Sequence, residues 1–264
     1  MSVEVSPQSG CGKDSCRCGG HGRRAMPSDP GTILAMEFGD EAASQCHCNG
    51  RTCPRHYLAW SGFALGGFLV LHLAVNALGL WPARFQAAVN HIHSLGAAQS
   101  VLEISLIFIP LTIHMTFGLR TLWREKLEFG IEKHHHGSDL RQWLQRVSAL
   151  ILLAFITFHV LTLHRWFGGR FDSSHAFSSI SQAIWQFWSG LPAGHPANLL
   201  VAEFYLLGLA AAVYHLANGI ATGSEVLGFT TMPAARQRLW RFCRIAAPAL
   251  LLAGLAAWYA FTVK

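Results

Sequence analysis

Five apolar stretches dominate this chain, and each is close to the ~20 residues that a helix needs to cross ~30 Å of hydrocarbon. They run roughly Leu58–Leu80, Gln99–Leu122, Gln142–Trp166, Leu199–Ala221 and Phe242–Val263. Inside a bilayer no water is present to bond the backbone, so the stretches are read as helices and the fold class as all-α, an integral membrane bundle of five transmembrane helices. Composition agrees: 52% of the 264 residues are hydrophobic and only 13% charged, where a soluble domain carries roughly 25% charged residues. The formal net charge of +6 is spread between apolar blocks rather than gathered with aromatics into one patch, which argues against nucleic acid as a partner. None of the stretches is followed by a small-residue cleavage site and the first comes after a polar tail, so all five are expected to be permanent spans.

Lysine and arginine in the connections set the expected orientation. Arg124, Lys126, Lys133 and Arg141 follow the second span, Arg236, Arg238 and Arg241 follow the fourth, and Arg51 and Arg55 precede the first. Cation-rich connections stay in the cytoplasm, whereas the opposite ones hold only Arg84 and the pair Arg165 and Arg170. The N-terminus is therefore expected in the cytoplasm and the C-terminus outside. Trp81, Trp123, Trp143, Trp166 and Trp240 fall near the span ends, where indoles prefer the interface.

Four of the five spans carry a histidine well inside: His72, His114, His159 and His215. At 1.5 Å per residue each lies about 20 to 25 Å along its helix from the entry point. Successive helices run in opposite directions, so this shared distance sorts the four into two levels. His72 and His159 fall in the outer half and His114 and His215 in the cytoplasmic half. Two imidazoles at each of two depths is what two bis-histidine haem b groups require, with each haem wedged between facing helices. Hydrogen-bonded core histidines or a proton relay are the other readings of these residues. In bc-type cytochromes each ligand helix carries two histidines about four turns apart. Here the positions fourteen residues before (Leu58, Ser100, Gln145, Val201) and after (Gln86, Glu128, Ser173, Phe229) hold none.

Two segments also carry a family resemblance. FQAAVNHIHSLGAAQSVLEISLIFIPLTIHMTFGLR, Phe85–Arg120, resembles the second-helix region of the single-subunit dihaem cytochrome b of succinate:quinone oxidoreductases, and LQRVSALILLAFITFHVLTLH, Leu144–His164, resembles the third. The resemblance covers about residues 57–264, a five-helix dihaem domain, and does not extend over the tail of residues 1–56. It implies a membrane anchor of a succinate dehydrogenase or fumarate reductase in a bacterial cytoplasmic (inner) membrane. Flavoprotein and iron–sulfur subunits would dock on the cytoplasmic face, and two haems would relay electrons to or from a quinone, of the menaquinone type by resemblance to dihaem members. By position it implies His114 and His215 as ligands of the proximal haem iron and His72 and His159 of the distal one. No flavin or dicarboxylate site is found in the sequence, so those belong to partners. A hydrogenase-type or formate-dehydrogenase-type cytochrome b, or a proton-coupled transporter using buried histidines, are the alternatives.

Secondary candidates surround these four. Arg120 and Arg146 are placed to pair with haem propionates, or else mark topology at the interface. Ser148 is expected to bond a haem or a backbone group of the fourth helix, or else its own helix. Glu103 and Glu203, near the outer ends of the second and fourth helices, are the candidates for quinol proton exchange, with solvated helix-end carboxylates as the plain alternative. Family members that use an outer quinone site have an acid in or near the first outer loop, whereas Arg84–Ala98 contains none, only His91 and His93. His164, five residues past His159, reads as interfacial rather than as a ligand.

The tail holds six of the seven cysteines in two clusters, CGKDSCRC from Cys11 to Cys18 and CHCNGRTC from Cys46 to Cys53, with His21, His47 and His56 nearby. Cytoplasmic thiolates suggest a zinc or iron–sulfur site, and a flexible Gly-rich extension touching the soluble subunits is the alternative. The triplet His134–His136 reads as a solvated loop facing partners, and Cys243 as a small buried residue.

Overall fold

The computed structural model describes residues 54–124, 137–164, 167, 169–188, 191–192 and 195–263. The cysteine clusters and His134–His136 lie outside the described residues. Among those described, all regular structure is helical.

Five helices are long and apolar enough to cross a membrane: Pro54–Leu80, Ala97–Trp123, Leu140–Leu163, Pro196–Val226 and Pro233–Thr262. The first comprises α1 (Pro54–Ala77) and a 3-10 turn (Leu78–Leu80). A short helix α2 (Pro82–His93) follows. The second span comprises α3 (Ala97–Glu103), a π-helical turn (Ile104–Phe108) and α4 (Ile109–Arg124). The third is α5 (Gly137–Leu163), after which comes a second short helix α6 (Ala176–Trp185). The last two spans are α7 (Pro196–Val226) and α8 (Pro233–Thr262). The span ends differ from the sequence reading by a few residues. The larger difference is Arg84–Ala98, read as a connection, which is mostly helix.

Local chemistry explains these boundaries. Pro54, Pro82, Pro196 and Pro233 open their helices, where a missing N–H costs nothing because the first-turn donors lack intrahelical partners. The π turn has a cause in Pro110, whose ring clashes with the carbonyl four residues back and donates no bond to it. The extra residue in the ladder lets the span continue, a common remedy in membrane helices.

Large apolar side chains face outward along the spans, among them Leu71 (68% exposed), Leu200 (71%) and Ile245 (75%). In water such a surface would aggregate, whereas lipid tails are its natural solvent. Inside, helices approach through small residues. Gly66 faces the Leu216 side chain, Gly254 faces Leu209 and Gly223 faces Phe63.

The largest buried cluster gathers at one end of the bundle. Phe85 and Val89 of α2, Ala176, Ile180 and Ile184 of α6, Val201 and Ala202 of α7, and Ala257 and Phe261 of α8 pack together. The two short helices thus cap this end, hereafter the cap end. Gln86 ties them: its Nε2 donates to the Ser173 carbonyl (2.7 Å) and its Oε1 accepts from the Ala176 amide (3.0 Å). Beside them Asp172 accepts from the Ser174 hydroxyl (2.6 Å) and amide (2.9 Å), which hold its carboxyl below the usual carboxylate range. The opposite end carries the tight turn from α7 to α8 and is called the turn end, where Glu225 pairs with Arg236 at 2.7 Å.

The spans pack in a definite order. α1 lies against α4, α7 and α8, and α7 lies against α1, α5 and α8. The neighbours α4–α1–α7–α5 therefore form an arc. Among the described residues, α1 and α5 share no extensive backbone contact, and neither do α4 and α7.

Candidate functional site

Each of the four mid-span histidines meets one partner across those unpacked helix pairs. The His72 ring on α1 and the His159 ring on α5 have centroids 5.9 Å apart with planes at 88°. His114 on α4 and His215 on α7 stand 6.2 Å apart at 80°. His72 and His159 lie within about five residues of the helix ends that lead into α2 and α6, so theirs is the cap-end pair. His114 and His215 form the turn-end pair. All four are half-buried.

The pair geometry can be compared with metal ligation. A metal–imidazole bond is about 2 Å, and the donor nitrogen lies about 1 Å from the ring centre, so two imidazoles on opposite sides of one metal hold centroids about 6 Å apart. Both pairs match that separation. Among the described residues there is no cluster of three or more His, Cys, Asp or Glu side chains suited to a bare metal ion. Two facing imidazoles are a donor set that an iron porphyrin could use.

The surrounding acceptors favour a proton on Nδ1 of the turn-end rings. Ser61 donates its hydroxyl proton to the Tyr57 carbonyl (2.7 Å), leaving its oxygen to accept from His114 Nδ1 (3.2 Å). The Leu58 carbonyl is a second acceptor for the same nitrogen at 3.2 Å. Ser148 likewise donates to the Gln145 carbonyl (3.0 Å) and lies 3.1 Å from His215 Nδ1. A proton on Nδ1 leaves Nε2 as the bare nitrogen with a lone pair to offer. Gln145 also steadies the His215 backbone: its Nε2 donates to the His215 carbonyl (3.3 Å) and its Oε1 accepts from Asn218 (2.9 Å).

At the cap end, His159 Nδ1 stands 3.4 Å from the Tyr205 hydroxyl. The ring stacks on Phe155 at 5.6 Å and 28°, and His72 packs on Phe68 at 5.2 Å. Gly208 makes room for Phe155, because a Cβ there would overlap the ring. Gly208→Val is accordingly expected to cost about 1–3 kcal/mol by overpacking. A lowered thermal midpoint in detergent would report this, and an unchanged one would contradict it. Gly62 similarly admits His114, whose Cε1 would lie 3.1 Å from a Cβ at that position.

Of the other sequence candidates, Ser148 joins the turn-end pair directly. It bonds both its own helix and the fourth span, through the His215 ring rather than a backbone group. Glu103 is placed in a second polar group at the cap end: it accepts from Gln99 (2.7 Å) and lies 3.7 Å from His164 Nε2, each side chain 23% exposed. The π turn supplies Phe108, which packs edge-on against His164 at 5.2 Å. Glu203 is exposed on α7 and Arg120 exposed on α4, and no described hydrogen bond or ion pair draws either into a histidine pair. Arg146 is half-buried on α5.

Sequence reasoning missed Ser61, Tyr205 and the Glu103–His164 contact. A signal for Ser61 was present: Ser61 precedes His72 by eleven residues, as Ser148 precedes His159. Eleven residues are close to three helical turns, so each serine shares a helix face with a histidine. α1 and α5 thus contribute a ligand-type residue to one pair and a supporting hydroxyl to the other.

No family model and no solved structure matches the chain. Over 201 residues, 75% of this chain and 90% of the relative, it is 28% identical to the succinate dehydrogenase cytochrome b558 subunit of Bacillus subtilis (strain 168), so a chain with two crossed histidine pairs is similar to a cytochrome.

Proposed function

We propose that the chain is the membrane-anchor cytochrome b subunit of a succinate dehydrogenase or fumarate reductase. One haem b would lie between His72 and His159, and a second between His114 and His215. The observation that carries this reading is the pair of imidazole couples, each about 6 Å from ring to ring across helix pairs without extensive backbone contact. The Bacillus relative supports the type of complex.

Each bound haem supplies a one-electron relay station whose potential depends on its axial ligands and their surroundings. The chain's own residues supply the rest. The four Nε2 atoms act as donors, the hydroxyls of Ser61 and Ser148 hold two of the rings, and Phe68 and Phe155 exclude water beside the others. The serine-to-histidine spacing sets the two levels about 16 Å apart along the helix axis. Arg120 and Arg146 are the proposed partners of the propionates.

In this reading the turn end faces the cytoplasm, where Arg236, Arg238 and Arg241 cluster, and there the iron–sulfur subunit and, with it, the flavoprotein would dock. The cap end faces outward, placing the C-terminus outside. Glu103, held by Gln99 and His164, is proposed to exchange protons with a quinol near the cap-end pair, and Glu203 is the exposed alternative on α7. The quinone is proposed to be menaquinone. The tail of residues 1–56 would reach the soluble subunits, and its cysteines are a proposed zinc or iron–sulfur site.

Redox-titrated visible absorption of the purified protein tests the core of the proposal, with two b-type components as the expected result. A spectrum without reduced b-type bands would leave the transporter reading standing, and co-purification with a hydrogenase in place of the flavoprotein would favour the other electron-carrier class. Glu103→Gln is expected to slow quinol-dependent turnover by about 100-fold, the lower range for losing a general acid–base group, with both b-type components intact. Turnover at the wild-type rate would remove Glu103 from the proton path.

A further inference from the structure

The two histidine pairs sit in unlike hydrogen-bond settings. At the turn end both rings are anchored through Nδ1: His114 by the Ser61 oxygen and the Leu58 carbonyl, His215 by the Ser148 oxygen. Both serines are buried, at 6% and 5% exposure. Both have their own proton committed to a carbonyl on the preceding turn, Tyr57 in one case and Gln145 in the other. A serine in a membrane helix commonly bonds only back to its own carbonyls. Here that back-bond is what orients the oxygen lone pairs toward the neighbouring helix. The serine becomes an acceptor at a defined place.

We propose that Ser61 and Ser148 are positioning residues for the turn-end imidazoles: each locks Nδ1–H, presents Nε2 to the iron, and lowers the reduction potential of that haem alone. This inference rests on the two-haem reading above. The physical link is ligand basicity. An imidazole whose Nδ1–H donates to an oxygen is a stronger donor through Nε2, and a stronger donor favours ferric over ferrous iron. Removing the acceptor therefore shifts the equilibrium toward the reduced form.

The two rings are backed alike: when the serine hydroxyl is lost, His114 keeps the Leu58 carbonyl and His215 keeps the Gln145 backbone. Ser148→Ala and Ser61→Ala should therefore act on the same component and in the same direction. The cap-end pair provides the internal control. Its one anchored ring, His159, meets Tyr205 instead of a serine, so Tyr205→Phe should act on the other component.

The experiment is a redox titration of the haem absorption in the intact complex, with wild type, Ser148→Ala, Ser61→Ala, Ser148→Thr and Tyr205→Phe compared. Ser148→Ala is expected to shift one component toward ferrous by about threefold or more in its reduction equilibrium, where tenfold is 59 mV for one electron. Ser61→Ala should move the same component in the same direction, Ser148→Thr should return it toward wild type because it restores the hydroxyl, and Tyr205→Phe should move the other component. Two b-type components with unaltered midpoints in Ser148→Ala would overturn the proposal, as would a shift of the same component by Ser148→Ala and Tyr205→Phe. If the wild type itself lacks two components, the two-haem reading fails first. If Ser148→Ala does not assemble, Ser61→Ala and Tyr205→Phe still decide, and movement of a single common component by both refutes the assignment.

Discussion

Replacing His159 by alanine is expected to abolish one of the two b-type components and leave the other at its wild-type potential. The reason lies in how separately the two levels are built. His159 faces His72 at 5.9 Å and is enclosed by Phe155 and Tyr205. None of these side chains touches the turn-end imidazoles, whose supports are Ser61, Leu58, Ser148 and Gln145. Loss of the His159 ring leaves His72 as a single ligand at the cap end, and one imidazole bond does not hold a haem in a site built for two. Redox-titrated absorption should show about half the reduced b-type amplitude and a single midpoint, in line with a per-level ligand set. Two unchanged components would sink the ligand assignment. His215→Ala should give the complementary result, leaving the component that Tyr205→Phe moves.

The second large effect concerns the cap rather than the histidines. Phe85 on α2 is 2% exposed, and its ring packs edge-on against Phe261 of α8 at 5.3 Å. Phe177, just inside α6, approaches the same Phe261 at 5.3 Å. Three helices thus meet at one aromatic cluster, and truncation of its most buried member opens a cavity that none of them can close alone. Phe85→Ala should destabilise the protein by about 3–5 kcal/mol, the usual range for a buried phenylalanine. Thermal unfolding in detergent would measure the loss. Both b-type components should survive below the lowered midpoint, because Phe85 contacts neither imidazole pair. A change under about 1 kcal/mol would mean that the cap does not depend on this contact.

The five spans and the four histidines were legible in the sequence because both signals are strong. Twenty apolar residues in a row allow few other structures, and an imidazole at mid-membrane depth stands out against such a background. Depth alone then grouped His72 with His159 and His114 with His215, and those are the rings that meet in the fold. The cap was not legible. PARFQAAVNHIH has no long apolar run, and its buried face rests on Phe85 and Val89, a four-residue spacing too short to stand out in a connection of that length. Ser61 escaped because a hydroxyl in an apolar helix ordinarily satisfies itself on the preceding turn. It does so here while also serving its neighbour, a second role visible only once α1 and α4 are placed side by side. Glu103 was visible as a carboxylate, but its contact with His164 depends on how the second and third spans lie next to each other, which spacing along one helix does not reveal. His164, read as a bystander at the rim, lies 3.7 Å from that acid.

The eleven-residue step from Ser61 to His72 and from Ser148 to His159 has a consequence for how such a molecule tolerates change. A helix tilts to suit bilayers of different thickness, and side chains repack, but the rise between two positions on one continuous helix is fixed by covalent geometry. α1 and α5 therefore act as paired gauge bars. Lipid composition and partner docking alter their inclination while the span between levels stays the same. By contrast, inserting one residue between serine and histidine would rotate the two by about 100° relative to each other, turning one of them toward lipid. The spacing of the electron path is thus protected against the environment and exposed to insertion and deletion, and natural variation in these two segments should be confined to substitution.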